Sequence, residues 1–257
     1  MTKENPIGVF DSGLGGLTVL KQLIKLMPHE DFIYLGDTAG VPYGTRSKET
    51  VTKFAFEDAN FLLDKKVKCI VIACNTASAL AGNALKKKLG VPIFDVITPA
   101  IDEARKISKT GKIGVIGTRG TIESGAYKVS YSQSCPLFVP FIEEDEIDTP
   151  ALKLIAKKYL DPFKKKKIDT LIMGCTHYPI IQNIIESEVD YRVKLIDPGK
   201  AAAKQVYEYL KVNSMLNSQN LVGKSTYFVT DFTERFTRMA EIFLGQKLQD
   251  KITKVDL

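Results

Sequence analysis

The sequence predicts an α/β protein built of two similar α/β domains with mostly parallel sheets, related by pseudo-twofold symmetry, with the active site in the cleft between them. Three observations point to it. Short apolar runs alternate with helix-like segments throughout the 257 residues. "IGVFDSGLGG" from Ile7 is echoed by "IGVIGTRGT" from Ile113, and "IVIACNTA" around Cys74 by "LIMGCTHY" around Cys175, in the same order and at nearly equal offsets. A chain of this length also has room for two α/β domains of ordinary size.

The elements follow in order. The apolar run Ile7–Phe10 reads as a strand, and "DSGLGG" turns it into an amphipathic helix, Leu17–Leu26. Strand Phe32–Leu35 leads into "GDTAGVPYGTRS", a turn-rich loop suited to covering a cleft, and then helix Lys48–Lys65. Strand Cys69–Ala73 is followed by helix Asn83–Leu89, strand Ile93–Val96 and helix Thr98–Ile107. The second unit repeats the alternation. Strand Ile113–Ile116 precedes helix Thr121–Ser130, strand Leu137–Val139 and helix Pro150–Lys158, with Cys135 in the loop before that strand. Strand Thr170–Met173, helix Pro179–Glu186, strand Lys194–Ile196, helix Ala201–Leu210, strand Thr226–Val229 and an amphipathic helix over Asp231–Leu244 complete the chain.

Composition narrows the function. The chain is 44% hydrophobic and 26% charged, with a net charge of +6. No apolar stretch approaches the ~20 residues that span a bilayer, and no signal-peptide core follows Met1, so the expectation is a cytoplasmic protein without a membrane. The runs Lys86–Lys88 and Lys164–Lys167 lie beside element ends with no interleaved aromatics, which argues against nucleic acid. Four cysteines form no C-x-x-C pair, and Cys69 reads as core filler.

The chemistry gathers at strand ends. Ligands of open parallel sheets sit beyond the carboxyl ends of strands, where helix N-termini offer free N–H groups. Cys74 and Cys175 each end a strand and open a polar turn. A helix N-terminus there is expected to lower a thiol's pKa from ~8.5 toward neutrality. Asp11 and Ser12 follow the first strand. Asp11 is suited to assisting an acid–base group, or simply to capping a helix. His177, two residues beyond Cys175, suggests proton handling, whereas His29 reads as a surface residue. Zinc held by Cys74, Cys175 and His177 is the rival, opposed by the lack of a second nearby histidine; the expectation is no metal. Asn75, Thr76, Thr118, Thr121 and Thr176 would hydrogen-bond a small carboxylate. Tyr43 and Gly44 lie in the covering loop. Glu143 is placed just beyond the predicted strand Leu137–Val139.

These segments carry a resemblance. "GVFDSGLGG", "YLGDTAGVPYG", "VIACNTASA", "GVIGTRGTIES", "LFVPFIEE" and "LIMGCTHYP" resemble the glutamate racemases, in order and across nearly the whole chain. The resemblance implies cofactor-independent interconversion of L- and D-glutamate, supplying D-glutamate for peptidoglycan and the cell wall. It implies catalytic cysteines at Cys74 and Cys175, acid–base helpers at Asp11 and His177, and Glu143 as a further candidate. Glu144, Asp145 and Glu146 follow closely, so the helper carboxylate is left open among them. Substrate contacts fall on Asp11, Ser12, Tyr43, Gly44, Asn75, Thr76, Thr118, Thr121, Thr176 and His177. It further implies a homodimer, and a second unit (98–200) inserted in a first (1–97) that residues 201–257 complete. The competing readings are a racemase of aspartate or another small acid, and a non-catalytic two-lobed binding protein for small anions.

Overall fold

The computed structural model describes residues 2–219, 221–232, 234–248 and 252–257, without the side chains of 234 and 235. Among these residues ten strands form two sheets. In the first unit, β1 (Ile7–Asp11), α1 (Leu17–Leu26), β2 (Phe32–Gly36), α2 (Lys48–Asp64), β3 (Cys69–Ile72), α3 (Asn75–Lys88) and β4 (Ile93–Asp95) alternate, and α4 (Ile97–Ile107) then leads across to pack on strands of the second. Next come β5 (Ile113–Gly117), α5 (Arg119–Glu123), β6 (Tyr131–Ser134), α6 (Phe138–Glu143) and α7 (Pro150–Lys166). They are followed by β7 (Thr170–Gly174), α8 (Gln182–Val189), β8 (Lys194–Ile196) and α9 (Pro198–Val212). The chain closes with β9 (Ser225–Val229), α10 (Glu234–Leu244) and β10 (Ile252–Lys254).

The six-stranded sheet runs β10-β9-β2-β1-β3-β4 and the four-stranded sheet β6-β5-β7-β8. Every pairing within them is parallel. The core of the larger sheet, β2-β1-β3-β4, has the same order as β6-β5-β7-β8, so the echoed segments occupy equivalent places. β1 and β3 are neighbours in one sheet, and β5 and β7 are neighbours in the other. Helices cover both faces, which is why β1, β3, β5 and β7 are buried at every residue and read as unbroken apolar runs. One apolar cluster continues from Val9, Leu20 and Val71 to Met173, Tyr178 and Leu160, joining both sheets. Helix α9 returns to pack on α1 and α4, and α10 packs on α1.

Several elements differ from the sequence reading, each for a physical reason. Residues 137–139 are not a strand: Leu137 precedes α6, and Phe138 and Val139 open it. Pro140 is poorly suited to a sheet, but in the first turn of a helix its missing N–H costs nothing. Cys135 accordingly leads into a helix. The strand beside β5 is instead Tyr131–Ser134, a half-buried edge too polar to announce itself. The helix expected over Thr121–Ser130 stops at Glu123, just before Gly125, whose φ of +65° belongs to a helix-ending turn. Helix α3 starts at Asn75, immediately after Cys74, and not at Asn83. Helix α7 runs through Pro162 to Lys166 because Leu160 and Phe163 are buried and the helix packs on α8. Strand β10, at the sheet edge, had no sequence signal.

Candidate active site

Strand ends aim the candidate residues at one place. Asp11 is the last residue of β1, and Cys74 follows β3 as the N-cap of α3, its sulfur accepting the Ala77 N–H at 3.4 Å. Thr118 follows β5 and caps α5 by accepting the Thr121 N–H. Cys175, Thr176 and His177 follow β7 and lead into a short 3-10 turn, Tyr178–Ile181. A second such turn, Tyr43–Thr45, brings Tyr43 and Gly44 over the site. Glu143 ends α6, so it arrives from a helix and not from a strand end.

A cavity of about 280 Å³ lies between the sheets. Its walls include Ser12, Tyr43, Gly44, Cys74, Asn75 and Thr76 from the first unit. Thr118, Glu143, Cys175, Thr176 and His177 come from the second. Of the expected residues only Asp11 and Thr121 stand behind the wall. Thr121 hydrogen-bonds Thr76 and Thr118 at 3.2 and 3.0 Å, and Thr76 meets Thr118 at 2.9 Å, a ring of hydroxyls tying the units together. Gly15 permits a close approach of the units: a Cβ there would stand 2.1 Å from Thr176 Oγ1 and 2.5 Å from His177 Nδ1. Thr18 adds a bond from its hydroxyl to the Thr176 carbonyl at 2.8 Å. The sequence reading did not select Arg119, Val41, Pro42, Pro136, Val139 or Pro140, which also line the cavity. Arg119 could have been found, since it follows the strand end "VIGT"; the prolines carry no chemical signal.

The two sulfurs have unlike surroundings. Cys74 lies 3.5 Å from the Ser12 hydroxyl and has the Asp11 carboxylate nearby. Burial, then the Asp11 charge, pushes its pKa up to about 12, against its hydrogen bonds with Ser12 and Ala77. The expected lowering at the helix N-terminus is therefore overturned for Cys74: loss of solvent outweighs the helix end. Cys175 instead lies 3.8 Å from His177 Nδ1, and His177 Nε2 lies 3.0 Å from Glu143 Oε1. That contact selects Glu143 from the acidic run as the partner of His177; Asp145 pairs with Arg238. Burial opposes an imidazolium, but Cys175 and Glu143, accepting its hydrogen bonds and adding their charges, raise His177 to about 10. Asp11 is buried, with one carboxylate oxygen accepting the Gly13 N–H and the other unpartnered among the described residues. Burial raises its pKa, and the charge of His177 pulls it back. Among the described residues no group of three or more His, Cys, Asp or Glu is placed to hold a metal ion.

Two parallel α/β sheets that bring a thiol each, an imidazole–carboxylate pair and several hydroxyls to one small cavity define an enzyme that moves protons on a small substrate. A model of the Asp/Glu/Hydantoin racemase family matches residues 7–206. The chain belongs to that family. It is 44% identical over 254 residues to the glutamate racemase of Geobacter metallireducens, covering 95% of this chain and 94% of that one. The glutamate racemase of Aquifex aeolicus is 45% identical over 255 residues, covering 96% and 97%. A crystal structure of glutamate racemase from Francisella tularensis in complex with D-glutamate superposes with a TM-score of 0.92 at 42% identity, covering 99% and 98% of the two chains.

Proposed function

We propose that this protein is a glutamate racemase, interconverting L- and D-glutamate by proton transfer through two cysteines. The observation that carries the reading is that Cys74 and Cys175, one from each sheet, line the same cavity. Racemisation requires removal of the α-proton from one face and delivery of a proton to the other, so a base and an acid must flank the α-carbon. One cysteine as thiolate takes the proton while the other, as thiol, gives one; the roles exchange for the reverse direction. Burial keeps the proton on Cys74, ready to donate. His177, held by Glu143, is the proton partner of Cys175, and Asp11 sets the charge around Cys74. The reaction proposed uses no pyridoxal phosphate. Stabilisation of the carbanion then falls to hydrogen bonds from Ser12, Asn75, Thr76, Thr118 and Thr176, and from the backbone at Gly44, to the substrate carboxylates, in a site sheltered from water. Tyr43 and Thr121 support that wall.

Glutamate is preferred over aspartate because the relatives at 41–45% identity, matched over nearly their whole length, are glutamate racemases. The product would supply D-glutamate for peptidoglycan in the cytoplasm. We further propose that residues 1–97 and 201–257 form one domain and 98–200 an inserted second; β9 pairing with β2 and α9 packing on α1 support this. A homodimer rests on the family resemblance alone.

The test is circular dichroism on L-glutamate and L-aspartate, without added cofactor, for wild type, Cys74→Ser and Cys175→Ser. The wild type should racemise glutamate and leave aspartate unturned. Each serine variant, near in size but far weaker as an acid, should lose more than about a hundredfold, ~2.7 kcal/mol of barrier. A variant retaining a tenth of the activity removes that cysteine from the mechanism. A wild type that binds glutamate without turnover is a binding protein.

A further inference from the structure

We propose that Tyr127 is a positioning residue whose hydroxyl orients the Asn75 amide so that only its N–H donors face the cavity, selecting a carboxylate over a carboxamide there. The inference rests on the reading of the cleft as an amino-acid racemase site. Tyr127 lies between α5 and β6 in the second unit, and Asn75 opens α3 in the first. The tyrosine OH donates to Asn75 Oδ1 at 2.6 Å, a buried bond between the units. Tyr127 is 6% and Asn75 3% exposed, yet Asn75 still reaches the cavity wall.

The ring is firmly seated. It belongs to an apolar cluster with Ile97, Ala100, Val115 and Ile172. It lies against β7 at Gly174, where a Cβ would come within 3.2 Å of Tyr127 Cε2. A Cβ at Gly174 would meet the Ile116 carbonyl first, at 2.7 Å, and the ring after it, so the glycine before Cys175 lets both β5 and the tyrosine lie close.

Hydrogen counting decides which way the amide points. A phenol has one hydrogen, the amide oxygen only accepts, and the amide nitrogen only donates. With Oδ1 toward Tyr127 the phenolic hydrogen is used, and both Nδ2 hydrogens are left for the cavity side. Reversed, Nδ2 would donate to the phenol oxygen and strand the phenolic hydrogen, since the hydroxyl has no second partner among the described residues. Burial, followed by the charge of Asp95, raises the phenol well above its ordinary pKa, so the hydrogen stays on. A carboxylate accepts from such a donor through a charge-assisted bond. A carboxamide bringing its own N–H to the same place meets another donor on Asn75, because Oδ1 is turned away toward Tyr127.

Tyr127→Phe removes only the hydroxyl and frees the amide to rotate. The experiment measures KM and kcat for glutamate together with competitive inhibition by glutamine and isoglutamine, each of which replaces one carboxylate by an amide. In the variant, KM for glutamate should rise about tenfold with kcat changed less. Binding of one amide relative to glutamate should improve about tenfold, ~1.4 kcal/mol, while the other ratio holds. A purely structural role would weaken all three ligands alike, and unchanged ratios overturn the proposal. The wild type provides a check that needs no variant. Its Asn75 side-chain NH2 resonances should shift when glutamate is added, and resonances that ignore the ligand overturn the proposal as well. A wild type that racemises glutamate while both ratios stay fixed defeats this inference alone; one that does not racemise glutamate defeats the functional reading and this inference with it.

Discussion

At the scale of single residues, the two sulfurs share a position in the sheet but not an environment. Cys74 faces a carboxylate and a hydroxyl, and Cys175 faces an imidazole whose far nitrogen meets Glu143. His177 should leave a mark on stability as well as catalysis. Its pKa is about 10 in the fold against an ordinary 6.5, so between those values the folded state holds a proton that the unfolded chain has released. The stabilisation is therefore fully present below pH ~6.5 and is lost as pH rises toward about 10. Thermal unfolding across that window should show the wild-type midpoint falling more steeply than that of His177→Asn; parallel curves would show that His177 is not held charged in the fold. This charge relation was only partly legible in the sequence. The Cys-x-His spacing suggested proton handling, but burial, which decides Cys74, and the choice of Glu143 among four acids depend on neighbours from other elements. Tyr127 was not legible at all, since nothing local ties it to Asn75.

At the scale of elements, the strands with both faces buried were the readable part. β1, β3, β5 and β7 end in the residues that build the site, and an apolar run closed by a polar turn marks each end. The half-buried edges β6 and β10 carry no such run, and α6 hides behind a strand-like "LFV" whose proline belongs to a first turn. The start of β3 makes a separate prediction. Lys68, completely buried, donates to the Lys3 and Met215 carbonyls and to Glu30 Oε2, while Glu30 Oε1 accepts the Asn217 N–H. Three distant segments are thus clamped at the end of the sheet opposite Cys74. Lys68→Met would strand the Glu30 carboxylate in the interior and should destabilise by about 3–5 kcal/mol. Urea unfolding measures the loss, and KM at permissive temperature should stay unchanged. A loss below about 1 kcal/mol would mean that Glu30 reaches water or takes up a proton at little cost.

At the scale of the whole molecule, equivalent strand orders in two sheets place equivalent cysteines at one cavity, and under the proposed mechanism they divide the labour across the α-carbon. That geometry has an isotopic consequence. Let L-glutamate be converted in D2O and sampled early. The thiolate that takes the α-hydrogen belongs to one sheet, while the thiol that replaces it belongs to the other and has already exchanged with solvent. New D-glutamate should carry deuterium, whereas unreacted L-glutamate should remain protiated, because return of the abstracted hydrogen to its original face restores protium. One base serving both faces, or an intermediate open to water, would label recovered substrate as fast as product. Mass spectrometry after chiral separation reads the ratio directly. Deuterium entering recovered L-glutamate at the rate of product formation would refute the two-thiol cleft as a mechanism and leave the two sheets as a scaffold for some other chemistry.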